Sequence, residues 1–117
     1  MNIILNLTIE RRWFDMIERG EKREEYRELD NAQARNALCS VSRGWPTGGN
    51  VMVLRNGYRM DSPAVAVRVF GFIIRLGAVY PEWGEPNYPH YAISFDEIVS
   101  RGTYAEVKET LEKGDGK

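Results

Sequence analysis

The stretch Gly20-Glu21-Lys22-Arg23-Glu24-Glu25-Tyr26-Arg27 marks the point where a helical pattern gives way to a strand-like one. Residues 10–19, just before it, have the spacing of an amphipathic helix, with apolar side chains at i, i+3 and i+4: Trp13, Met16 and Ile17. Gly20 can end that helix because glycine accepts a left-handed conformation at little steric cost. The stretch therefore predicts a helix-to-strand junction whose charged side chains face a cleft.

The segment from Lys22 to Arg27 is almost wholly charged, which suits an extended segment that lines a wet cleft. If it is extended, Glu25 and Arg27 point to the same side, because side chains alternate along a strand. Glu24 and Tyr26 then point to the other side. Lys22 lies in the turn, so this parity does not fix its direction. These charges can bind a ligand, or they can form an internal ion pair, Lys22 with Glu25 or Glu25 with Arg27, that only fixes the junction.

Alternating apolar residues predict the strands of one sheet. Residues 3–9 have the two-residue period of a first strand, and residues 51–55 and 91–95 are shorter strand-like runs. The longest pattern covers residues 64–76, where Gly71 interrupts the run and suits a bulge. One face of that run is expected to carry Val65, Val67, Val69 and Ile73, and the other Ala66, Arg68, Phe70, Phe72 and Ile74.

Capping patterns and turn residues predict the remaining elements. Asp30-x-x-Gln33 resembles a capping pair before a second helix, and Thr103-x-x-Glu106 predicts the start of a terminal helix. Ser94-x-x-Glu97 has the same spacing and predicts a short turn after the last strand. Asn56-Gly57 predicts a tight turn. These elements indicate an α+β fold: a small curled mixed β-barrel of about five strands with two or three flanking helices.

The length and composition of the chain set broad limits. A chain of 117 residues, with 43% apolar and 28% charged residues, fits one soluble domain, expected over residues 1–113 with a frayed tail at 114–117. The net charge is −1, yet residues 36–95 hold five arginines, three acids and no lysine. Arginine suits phosphates and nucleobases, so this bias indicates an anionic or nucleotide ligand. It is equally consistent with solubilising charge on outward strand faces.

Few residues here could hold a metal or form a disulfide. Cys39 is the single cysteine and is interpreted as a packing residue, and His90 is the single histidine, interpreted as a strand-edge residue rather than a general base. We therefore expect no metal and no cofactor. No run approaches the roughly 18 apolar residues of a membrane span, and a cytoplasmic, monomeric protein is expected.

Several aromatic side chains lie in predicted loops: Trp45, Tyr58, Tyr80, Trp83 and Tyr88. Loop aromatics can stack on the bases of single-stranded RNA. They can also simply cover the core of a small barrel. We expect Trp83 and Tyr58 to face a ligand, and Trp13 to belong to the core.

The motif Gly20-x-Lys22-x-x-Glu25-x-Arg27 resembles the G-x-K-x-x-E-x-R motif of the ASCH domain family, a branch of the PUA-like small β-barrels. The resemblance covers most of the chain: a leading strand, a helix that ends at the motif glycine, and then barrel strands. The Arg55-Asn56-Gly57-Tyr58 turn and the Pro81-Glu82-Trp83-Gly84 loop are also similar to small ASCH proteins of bacteria and their phages.

The resemblance implies binding of RNA or of a modified nucleoside or nucleotide in the cleft beside the motif. The expected ligand-binding residues are Lys22, Glu25, Arg27, Arg55, Tyr58 and Trp83. One subgroup of the family hydrolyses N4-acetylcytidine with the motif lysine, a threonine three residues later and a further glutamate. Here Lys22 matches the lysine, Glu25 stands at the threonine position, and Glu82 is the nearest further glutamate.

Another subgroup of the family cleaves RNA, so the resemblance is also consistent with an RNA-cleaving enzyme. A third interpretation keeps the barrel without a ligand: a protein-interaction module whose charged motif only fixes the junction. The near-neutral net charge is compatible with such a module.

Overall fold

The computed structural model describes residues 2–42 and 49–114. Within them the chain forms a mixed five-stranded sheet with three α-helices, which confirms the α+β class. The strands are β1 Asn2–Thr8, β2 Glu24–Glu28, β3 Asn50–Arg55, β4 Pro63–Arg75 and β5 His90–Thr103. The helices are α1 Arg11–Glu18, α2 Ala32–Ser42 and α3 Tyr104–Gly114. A one-turn 3₁₀ helix, Pro81–Trp83, lies between β4 and β5.

The strands lie in the order β1-β3-β4-β5-β2. β1 pairs with β3 in parallel, and the other three neighbouring pairs are antiparallel. β1 and β2 are the two edge strands. Within the described residues, 2–42 and 49–114, they do not pair with each other, so the sheet is open. The expected strand number is confirmed, while closure into a barrel is not observed.

Both faces of the sheet are covered. β3 is buried on both sides, since its residues alternate between two clusters and all but its last residue are buried. One cluster joins the sheet to α1 and α2 through Leu5, Leu7, Ile9, Phe14, Ile17, Ala34, Leu38, Met52, Leu54, Val65, Val67, Val69, Tyr91, Ile93 and Phe95. The other joins it to α3 through Val51, Val53, Ala64, Ala66, Tyr104, Val107 and Leu111.

The bulge expected near Gly71 is present. Val69 is paired with Phe95 and Gly71 with the adjacent Ser94, so Phe70 is an extra residue in β4. An extra residue reverses which face the following side chains occupy. Phe72 consequently packs against the first cluster. Ile73, expected on the face of Val69, is more than half exposed, and that prediction is wrong.

Three local predictions also need correction. The helix cap of α2 is Asn31 and not Asp30, because the Asn31 Oδ1 accepts a 2.9 Å hydrogen bond from the Ala34 N–H. The short turn expected around Ile98 and Val99 is absent, because β5 continues through these residues to Thr103 and its pairing with β4 overrides the capping pattern. Cys39 is exposed, because it lies one position away from the buried stripe of α2.

The capping box of α3 is confirmed. The Glu106 N–H donates to Thr103 Oγ1 at 3.2 Å, and the Thr103 N–H donates to Glu106 Oε1 at 2.9 Å. Trp45 and the last three residues lie outside the described residues. No helix in the described ranges is both long and apolar enough to cross a membrane.

Candidate functional site

The motif begins where α1 ends. Gly20 has a φ of 77°, and its N–H donates to the Ile17 carbonyl at 3.0 Å. The Glu21 N–H donates to the Met16 carbonyl at 2.9 Å. Together these bonds form a Schellman ending, which favours glycine at the left-handed position. The chain therefore reverses sharply, and Lys22 follows immediately, just before β2.

Lys22 is buried, with only 1% of its surface exposed. Its ammonium donates a 2.8 Å hydrogen bond to the Trp83 carbonyl and lies 3.4 Å from the Glu25 carboxylate. It also lies over the aromatic rings of Tyr26 and Trp13, at 4.5 and 5.4 Å from their centroids. Burial lowers the pKa of Lys22, and the carboxylate of Glu25 opposes that shift. Lys22 thus joins the motif to the loop that carries Trp83.

Glu25 and Arg27 lie on the same side of β2, as the strand parity predicts. The Arg27 Nη1 lies 3.3 Å from the Glu25 carboxylate and donates to the Tyr26 carbonyl at 2.6 Å. Glu25 also accepts a bond from the Tyr26 N–H at 3.1 Å. Glu25 is buried, whereas the Arg27 side chain is 21% exposed. Arg27 is therefore the motif charge that solvent and ligands can reach.

A concavity of about 250 Å³ opens beside these two residues, and a second one of about 450 Å³ adjoins it. We call both together the Arg27 groove, because Tyr26, Arg27 and Gly84 line both parts. The inner part is also lined by Thr8, Ile9, Glu10, Trp13, Glu25 and Trp83. The outer part is also lined by Glu28, Asp30, Asn31, Pro86 and Tyr88.

The loop between β4 and β5 forms one wall of the groove. Gly84 has a φ of 81°, and a Cβ atom there would lie 2.6 Å from the Trp13 ring. Only glycine allows this close approach. Next to it, Trp83 stacks on Tyr80 with ring centroids 4.1 Å apart. The wall is consequently held by two aromatic contacts: Gly84 against the Trp13 ring, and Trp83 against Tyr80.

A buried ionic network holds that loop on the sheet. Arg75 donates two bonds to the Glu24 carboxylate, at 2.7 and 3.0 Å, and one to Glu85 at 2.6 Å. Glu85 also accepts from the backbone N–H groups of Val79 and Tyr80 at 2.6 and 2.8 Å. The Glu85 carboxylate thus joins Arg75, the last residue of β4, to the backbone of the loop at Val79 and Tyr80.

The network shifts the pKa values of its members. Burial by itself raises the pKa of Glu85, but the bonds from Tyr80, Arg75, Val79 and His90 outweigh burial and lower that pKa to about 2. The Tyr26 hydroxyl donates to Glu24 at 3.0 Å. Burial, and then this bond, raise the pKa of Tyr26. Glu85 is therefore a stable anion and Tyr26 a stable phenol.

His90 belongs to the same network and is fully buried. Its Nε2 lies 2.6 Å from Glu85, and its Nδ1 lies 2.6 Å from the Tyr88 carbonyl. His90 is the first residue of β5 and pairs with β2 on one side and with β4 on the other, so it lies at a strand end but inside the sheet. Sequence reasoning missed this network; its only signal was a lone histidine after an ordered, proline-rich loop.

Three expected site residues lie elsewhere. Arg55 stacks 3.5 Å from the Tyr104 ring centroid and donates to the carbonyls of Gly57 and Arg59, so it braces the β3–β4 turn. Tyr58 in that turn is 87% exposed. Glu82 is exposed on the 3₁₀ helix. None of the three lines the Arg27 groove.

Among residues 2–42 and 49–114, no group of three or more His, Cys, Asp or Glu side chains is arranged to hold a metal ion. No family model matches the chain, and neither a curated protein nor a solved structure matches it. The function is therefore argued from the site itself.

Proposed function

We propose that this protein binds RNA or a modified nucleoside in the Arg27 groove. The observation that carries the proposal is the position of Arg27, a partly exposed guanidinium held between the two parts of the groove. The contacts that Arg27 makes within the described residues use Nη1, so its Nε and Nη2 donors can face a ligand. A guanidinium whose Nε and Nη2 donors are not used inside the protein can bind a base carbonyl or a phosphate.

The two parts of the groove suit different parts of a nucleoside. The inner part is lined by the aromatic side chains of Trp13 and Trp83, which a base can contact. The outer part contains the carboxylates of Glu28 and Asp30. These carboxylates disfavour a phosphate but can accept hydrogen bonds from ribose hydroxyls.

The resemblance to the ASCH domain family supports the proposal. The motif residues form two ion pairs with one shared carboxylate: Glu25 pairs with Lys22 and with Arg27. The resemblance also implies a PUA-like barrel. The sheet is open, so the barrel remains part of this proposal. In this interpretation Lys22 positions the loop, and Arg27 makes the contact with the ligand.

Calorimetric titration with nucleosides, nucleoside monophosphates and short single-stranded RNAs at low salt tests the proposal. We expect saturable binding that Arg27→Gln weakens roughly tenfold or more, since a charge-assisted bond is lost. Arg59→Gln is the matched control, because Arg59 is an exposed arginine that lines no part of the groove. If no nucleoside, nucleotide or RNA binds, the proposal is wrong.

A second candidate is hydrolysis of an acylated cytidine, and the lowered pKa of Lys22 favours it. A neutral amine next to Glu25 could take the proton from an attacking water and later return it to the departing nitrogen. The burial of Lys22 requires the Trp83 loop to move before a substrate can reach it. Incubation with N4-acetylcytidine, followed by chromatography, decides the matter: release of cytidine and acetate that Lys22→Met abolishes supports an enzyme, and unchanged substrate excludes it.

A further inference from the structure

Another concavity, of about 350 Å³, lies outside the Arg27 groove, and Trp83 lines both this concavity and the inner part of the groove. We call it the Phe70 depression. Its size is near the lower end of the range for ligand sites, roughly 300 to 1,000 Å³. The depression is lined by Arg23, Glu24, Phe70, Tyr80, Trp83, Ser94, Phe95 and Asp96.

The charged residues that line the Phe70 depression differ in whether their side chains are paired. Glu24 accepts two bonds from Arg75, which also donates to Glu85. Asp96 accepts two bonds from Arg68, at 2.7 and 3.1 Å, and Arg68 also lies 3.3 Å from the Glu97 carboxylate. The exposed guanidinium of Arg23 makes no hydrogen bond or ion pair with any residue in 2–42 or 49–114. Arg23 therefore offers the depression an unpaired guanidinium that a phosphate can bind.

Phe70 supplies an apolar surface in the same place. It is the extra residue of the β4 bulge and is 63% exposed. The stacked pair of Tyr80 and Trp83 forms another part of the lining. An exposed aromatic ring beside an unpaired guanidinium is the combination that single-stranded nucleic acid uses, with bases stacked on rings and the backbone held by cations.

We infer that the Phe70 depression is a second nucleotide subsite, so that the ligand of this protein is a single-stranded oligonucleotide rather than a free nucleoside. One nucleotide occupies the Arg27 groove, the chain passes Trp83, and the next base stacks on Phe70 with its phosphate at Arg23. The inference rests on the proposed function, and it adds the length of the ligand and two residues outside the motif.

Calorimetry with nucleoside 5′-monophosphates and with the four RNA homotetranucleotides tests the inference. At least one tetranucleotide should bind tenfold or more tightly than its monophosphate. Phe70→Ala should weaken tetranucleotide binding roughly tenfold, the usual effect of losing one stacked base, and leave monophosphate binding unchanged. Arg23→Gln should weaken tetranucleotide binding and lower the dependence of log K on log salt by about 0.7, the value for one phosphate of a single strand.

Both substitutions are at exposed positions, and Arg59→Gln again controls for the lost charge. The inference is overturned if tetranucleotides bind no more tightly than monophosphates, or if neither variant weakens tetranucleotide binding. In the second case the depression is left to another class of ligand, such as a protein. Monophosphate binding that Arg27→Gln abolishes would still uphold the proposed function, so the two failures are distinguishable.

Discussion

The ammonium of Lys22 donates a 2.8 Å hydrogen bond to the carbonyl of Trp83, 61 residues further along the chain. This bond joins the turn after α1 to the wall of the Arg27 groove. Because Lys22 is buried, its charge acts inside the protein, on Trp83 and on Glu25, rather than on solvent. The motif lysine, Lys22, is thus a structural link between the turn after α1 and the Trp83 loop.

Lys22→Met should therefore reduce stability, since it keeps the length of the side chain but leaves the Trp83 carbonyl without its donor and the buried Glu25 carboxylate with Arg27 alone. We expect a loss of about 2 to 4 kcal/mol in the free energy of unfolding, measured by urea denaturation. Lys108→Met, at an exposed position of α3, is the control and should change little. A Lys22→Met variant as stable as wild type would show that the link contributes nothing.

Glu85 should make stability depend on pH in acid. Its pKa is lowered to about 2 in the folded protein from an ordinary 4.5, so the unfolded chain binds more protons between these values. Stability is then present above pH 4.5 and is lost as pH falls towards 2, by an amount on the order of 3 kcal/mol. Glu85→Gln should be less stable than wild type at pH 7, and the difference should shrink in acid.

Denaturation at several pH values between 7 and 2.5 measures this effect. Glu112→Gln, an exposed glutamate of α3, provides the comparison for a general loss of carboxylate. A difference between wild type and Glu85→Gln that stays constant across the range would contradict the assignment.

Gly84 and Gly20 form a matched pair. Their φ angles are nearly equal, 81° and 77°, but only Gly84 faces a ring where a Cβ would lie, 2.6 Å from Trp13. Gly20→Ala should cost only the left-handed strain, about 1 kcal/mol. Gly84→Ala should cost at least 1 kcal/mol more, because overpacking adds to the strain, and should also weaken ligand binding by moving the groove wall. Thermal unfolding of both variants checks this, and equal losses would contradict the close approach.

The cap of α2 can be tested directly. Asn31→Ala removes the oxygen that accepts from the Ala34 N–H and should cost about 1 kcal/mol. Asp30→Ala, one residue earlier, should cost less than about 0.5 kcal/mol, as surface substitutions usually do. Urea denaturation of the two variants distinguishes them, and a larger effect at Asp30 would restore the capping pair that the sequence suggests.

Local sequence patterns were sufficient for much of the fold. The helix that ends at Gly20, the alternation along β2, the bend at Asn56-Gly57 and the capping box at Thr103 all depend on neighbours a few residues apart; the tight turn expected at Asn56-Gly57 is instead a longer connection, residues 56–62. The bulge at Phe70 was located from Gly71, but its effect on the following side chains was not. That effect depends on the pairing partner, which a period within one strand does not reveal.

By itself, the sequence determined the elements, the α+β class and the charged junction, because capping, periodicity and glycine conformation are short-range. Tertiary structure alone decided which of those charges reach a ligand. It buried Lys22, left Arg27 in the groove and Arg23 beside Phe70, and moved Arg55 and Tyr58 away. It also brought Glu24, Arg75, Glu85 and His90 into one network, in which bonded residues are up to 51 positions apart. Burial and ion pairing at that range depend on how the strands are ordered, which no local pattern encodes.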